Sequence, residues 1–203
     1  MRQLGPRLPA LRTTFQSAPI ANYVVAFSDK HNDLSQWRAY GSPHVGYAIS
    51  FRRAALYLHS GLILDKVLYD PDHQRSRLVQ LANQFQVTGQ TDPPLSLQNH
   101  LMIGSLFFKN PAFQVESEWR GVLVLPDHTD PKFQTSPLGL VPFIEVSFEL
   151  SYDGQPMVGK VMVGPTSTPL ECGSALKLLL DQQGYSAAGR AVDTCAIPHR
   201  SVH

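Results

Sequence analysis

The chain has 203 residues, 43% of them apolar and 16% charged, and a formal net charge of +1. This length suffices for one domain of moderate size with a sizeable core. The near-zero charge argues against a dedicated nucleic-acid or polyanion binder, and no apolar run approaches membrane-spanning length.

The cysteines, Cys172 and Cys195, have no metal-ligand spacing, and neither do the histidines. A free-thiol protein of the cytoplasm with no bound metal is expected. Met1 to Leu11 is basic but carries two prolines and no apolar core, so it does not read as a signal peptide. Residues 1–21 read as an irregular arm, and residues 22–203 as a single α+β domain.

Tyr23 to Phe27 reads as a buried strand, with turn chemistry from Ser28 to Asp33. Leu34 to Tyr40 predicts a short helix closed by Gly41. Val45, Tyr47, Ile49 and Phe51 alternate along a second strand, and Arg52 to His59 predicts a short helix. Leu62 to Tyr69 suggests a strand. Residues 73–88 show the apolar spacing of an amphipathic helix. A further helix is expected to be capped by Asp92 with Pro93 at its first position, and to stop at Asn110-Pro111. Gly139 to Leu150 predicts a long alternating strand, Asp153-Gly154 a turn, and Val158 to Val163 the next strand. Thr168-Pro169-Leu170-Glu171 has the form of a capping box opening a helix that Gly184 ends. Arg190 to Ile197 closes a βαβ-like unit. The sum is an α+β fold with a mixed, largely antiparallel central sheet and flanking helices.

The densest chemistry lies in Phe113 to Arg120, which runs into the wholly apolar Val122 to Leu125. On a strand, Glu116, Glu118 and Arg120 share one face and Trp119 takes the other. Two carboxylates so close repel, which predicts a raised pKa for one of them and suits acid or base work. The structural alternative is that Arg120 pairs with an acid and Trp119 is a core anchor. A buried Trp119 predicts a cost of about 3–5 kcal/mol for Trp119→Ala.

Several stretches in order resemble one bacterial family, domain of unknown function 2971. They are Phe27-Ser28, Leu34 to Gly41 with Trp37 and Tyr40, Gly46 to Phe51, and Lys109 to Arg120. Val141 to Glu145, Val163 to Thr166 and Ile197 to Arg200 complete the set, so the resemblance spans roughly residues 22–200. The family's usual opening Tyr-x-Tyr strand and Asn-Asp-Pro loop are absent before Tyr23, which reads as a fragment, a misplaced start or a shortened variant.

The layout of that family is similar to the ADP-ribosyltransferase superfamily. The similarity implies cleavage of the nicotinamide glycosidic bond of NAD, with NAD as substrate, in a toxin or phage-defence setting. It makes Glu118 the catalytic carboxylate, because the sugar gains positive charge in the transition state. Glu116 then assists or faces the acceptor, and Ser28 orients one carboxylate. Trp37 or Tyr40 stacks a ring of the dinucleotide, and Arg38 and Arg120 complete the cofactor contacts. Each residue also has a plain structural use. Ser28 forms a strand-end turn, Trp37 and Tyr40 sit in a core, and Arg38 pairs with an acid. Two other functions fit the sequence. One is a non-catalytic interaction or sensing module with a protein partner. The other is a nucleic-acid-directed effector, for which no third acid stands at a metal-like spacing.

Overall fold

In the computed structural model the described residues are 20–41, 45–59, 61–84, 95–126, 130–136, 139–146, 151–152, 155–185 and 191–197. They form an α+β fold whose strands divide among two three-stranded and two two-stranded sheets. Among the described residues, four of the six strand pairings have a defined register, three antiparallel and one parallel. The chain resolves into two compact units, each discontinuous in sequence: residues 1–27 with 65–144, and residues 28–64 with 145–203.

The first unit is organised around β4 (Glu118–Pro126), which lies between β1 (Ile20–Ser28) and β3 (Ile63–Lys66). Val122 on β4 is fully buried. β1 is an outer strand in this order, and Val24 and Val25 are exposed, so the expectation of a buried first strand is corrected. An outer strand has a neighbour on one side only and leaves more of its apolar side chains uncovered.

The helix expected over residues 73–88 is α3 (Pro71–Gln84). It starts earlier because Asp70 accepts the backbone N–H groups of Asp72 (2.8 Å) and His73 (2.9 Å), and proline suits a first helical turn. α4 (Leu95–Ser105) packs on α3. A Cβ at Gly104 would come within 2.9 Å of Leu81 Cδ1, the tip of a side chain on α3. The proposed Asp92 cap lies outside the described residues. β5 (Lys132–Ser136) and β6 (Gly139–Phe143) form a hairpin. β6 is shorter than the Gly139–Leu150 strand expected: residues 144–146 leave the ladder, and the remainder lies outside the described residues.

The second unit begins with α1 (Leu34–Tyr40), whose bounds match the expectation. Asp33 caps it, accepting from Ser35 N at 2.8 Å. The Ser35 hydroxyl and then Lys30 hold the Asp33 carboxyl down at about 2. β2 (Tyr47–Phe51) and α2 (Arg53–His59) follow. β9 (Val158–Val163) is the middle strand of the sheet β10-β9-β2, antiparallel to β2 and parallel to β10 (Ala191–Thr194). α5 (Pro169–Gln182) makes the crossover and packs on β9 and β10, so the C-terminal βαβ unit is present. Met157, Val161, Met162 and Val163 are buried in this unit. β7 (Ser151–Tyr152) and β8 (Gln155–Pro156) form a short antiparallel pair, and the expected Asp153-Gly154 turn lies outside the described residues.

The Thr168 capping box does not form. Thr168 makes no side-chain cap bond, and its hydroxyl lies 3.6 Å from the Cys172 Sγ. Its backbone N–H is taken up locally by the Thr166 hydroxyl at 3.4 Å.

Candidate functional site

Glu116, Glu118 and Arg120 all fall in the first unit, but Glu116 is not on the strand. Residues 111–116 form a 3-10 turn, entered by Pro111 and capped by Asn110, which accepts from Ala112 N at 2.9 Å. Ser117 then takes a left-handed conformation with φ 46° and ψ 50°, and β4 starts at Glu118. The shared face expected for Glu116 and Glu118 is therefore corrected. The two carboxylates meet because the turn folds back on Lys109.

Lys109, which the sequence reading left without a role, is the centre of the group. Its Nζ donates to Glu116 Oε2 at 2.7 Å and to Glu118 Oε2 at 2.8 Å. Arg120 Nε donates to Glu118 Oε1 at 2.7 Å, Nη2 reaches Oε2 at 3.4 Å, and Nη1 donates to the Leu106 carbonyl. Both oxygens of Glu118 are thus held by cations, in a residue only 6% exposed. Burial alone favours the neutral carboxyl. The hydrogen bond from Arg120 and then that from Lys109 outweigh it, and the Glu118 pKa is lowered, not raised as like-charge repulsion predicts. Burial also works against the Lys109 charge, but the bonds to Glu116 and Glu118 prevail and raise its pKa.

Bonds from distant parts of the sequence frame the cluster. Glu118 N donates to the Tyr69 hydroxyl at 2.9 Å, and Val67 N to the Glu118 carbonyl at 3.0 Å. The Gln74 amide donates to the carbonyls of Leu68 (2.7 Å) and Lys109 (3.0 Å), tying α3 to both strands of chain that frame the cluster. The left-handed Ser117 carries a steric cost that glycine avoids. Ser117→Gly is therefore expected to stabilise the protein by about 0.5–1 kcal/mol, read as a shift in urea midpoint. Ser117→Val should move the midpoint the other way. Equal losses from both substitutions would show that the left-handed backbone is not the controlling feature.

Trp119 is neither fully buried nor exposed: part of the ring is covered and part stays open. The Lys66 ammonium lies 5.4 Å from the centre of its ring. A cation over one face keeps that face near water. Trp119→Ala should accordingly cost about 2 kcal/mol, below the usual range for a buried tryptophan. A thermal melt giving a loss of about 4 kcal/mol or more would show a fully packed ring.

Trp37, Arg38 and Tyr40 lie on α1 in the second unit, and Ser28 stands at that unit's start. Trp37 Nε1 donates to Asn32 Oδ1 at 3.0 Å, and the Cys195 thiol donates to the same oxygen at 2.9 Å. The ring rests on backbone. A Cβ at Gly164 would be 2.8 Å from Trp37 Cζ3, and one at Gly46 would be 3.4 Å from it. Gly164 N donates to the Gly46 carbonyl at 2.8 Å, which joins the two glycines into one floor. Arg38 and Tyr40 are exposed. The Ser28 hydroxyl accepts from Lys30 N at 3.1 Å, the local turn bond of a strand end. Among the described residues, no three His, Cys, Asp or Glu side chains group to hold a metal ion, and no helix is long and apolar enough to cross a membrane.

No curated protein and no solved structure matches the chain at a significant level. One protein family does. Its model, described as a protein of unknown function (DUF2971), matches residues 36–121. The match takes in Trp37 to Tyr40, Gly46 to Phe51 and the Lys109 to Arg120 cluster. It stops short of Val141 to Glu145 and of the two later motifs. The motif order and the family match agree over residues 36–121, where the chain is similar to the DUF2971 family.

Proposed function

We propose that the chain is a non-catalytic interaction or sensing module, working in the cytoplasm, and not an NAD-cleaving transferase. The observation that carries this reading is the state of Glu118. A carboxylate that stabilises a developing sugar cation has to face that sugar. Glu118 is buried, and both its oxygens are engaged by Lys109 and Arg120. Serving as the catalytic group would mean breaking this cluster first. Trp37, the candidate stacking platform, has its N–H bonded to Asn32 and rests on the glycine floor of its own unit. The exposed apolar side chains Phe133 and Leu140 on the hairpin support a binding role. Free thiols at Cys172 and Cys195 suit a reducing compartment. A nucleic-acid-directed effector has less support, because the net charge is +1 and, among the described residues, neither Glu116 nor Glu118 joins a metal-holding group.

The test is incubation of the folded protein with NAD, followed by measurement of released nicotinamide and of NAD binding by calorimetry. Neither release nor binding is expected. Nicotinamide release that Glu118→Gln abolishes, in a protein whose melt shows it still folded, would overturn the module reading and restore the transferase.

A further inference from the structure

We draw no further inference here: the strongest candidate, the exposed apolar face that Phe133 and Leu140 form on the β5–β6 hairpin, carries nothing because nothing in the structure shows what covers it.

Discussion

Glu118→Ala is expected to lower stability by about 3 kcal/mol, the low end of the range for breaking a buried ion pair. The low end applies because Glu118 is 6% exposed while the side chains of Lys109 and Arg120 are 21% and 18% exposed, so water recovers part of their solvation. Lys109 keeps Glu116 as a partner, and Arg120 keeps the Leu106 carbonyl. The pH dependence follows from the same contacts. The Glu118 pKa is lowered in the folded state, so its contribution is fully present above the ordinary carboxyl value of 4.5 and is lost as pH falls through the lower folded value. The Lys109 pKa is raised, so its contribution is complete below 10.5 and is lost as pH rises through the higher folded value. The wild-type protein should therefore lose stability at acid pH by an increment that Glu118→Ala lacks. Urea midpoints measured from neutral pH downward check this. A substitution that leaves the neutral midpoint unmoved would remove the cluster from any account of the fold.

Gly164→Ala is expected to cost about 2–3 kcal/mol by overpacking. The added Cβ would sit 2.8 Å from Cζ3 and 2.9 Å from Cε3 of Trp37, and 3.1 Å from the Gly46 carbonyl oxygen. The ring cannot swing away without losing the bond from its N–H to Asn32, an oxygen that the Cys195 thiol shares. Gly164 itself is buried, which leaves the backbone little room to shift. Trp37→Leu should remove the clash, so the double substitution should cost less than the sum of the two single ones. Additive losses in a double-mutant cycle would show that Gly164 and Trp37 do not constrain each other.

Local signals in the sequence carried much of the fold. Gly41 after Trp37 and Tyr40, with Asp33 before them, marked α1 at both ends, and Gly184 marked the end of α5 through its positive φ of 76°. The apolar spacing in residues 73–88 locates α3 but not its start, which the Asp70 cap sets ahead of the first apolar position. The failures have a common cause. A strand period over Glu116 to Arg120 is broken in the folded chain by the left-handed Ser117, after the turn that Pro111 opens. Nothing in the charge pattern of Glu-x-Glu-x-Arg shows that a lysine seven residues upstream of Glu116 returns to it. The signal was present as Asn110-Pro111, a cap and a turn opener that reverses the chain between Lys109 and the acids. Burial was the least legible property. Trp119 and Val24 read as core on residue type, yet one lies under a lysine and the other on an outer strand.

The pairing of β2 with β9 joins Tyr47 to Val163, across more than half of the chain. β1 likewise waits for β4 before its sheet exists. During synthesis, residues 28–64 leave the ribosome long before the strand that completes their sheet, so their apolar side chains stay open to water for that interval. Closing so long a loop before any contact rewards it slows folding and exposes the nascent chain to aggregation. The family-matched stretch 36–121 cuts across both units and contains neither β1 nor β9. Expressed as a separate fragment, it would lack a strand from each three-stranded sheet.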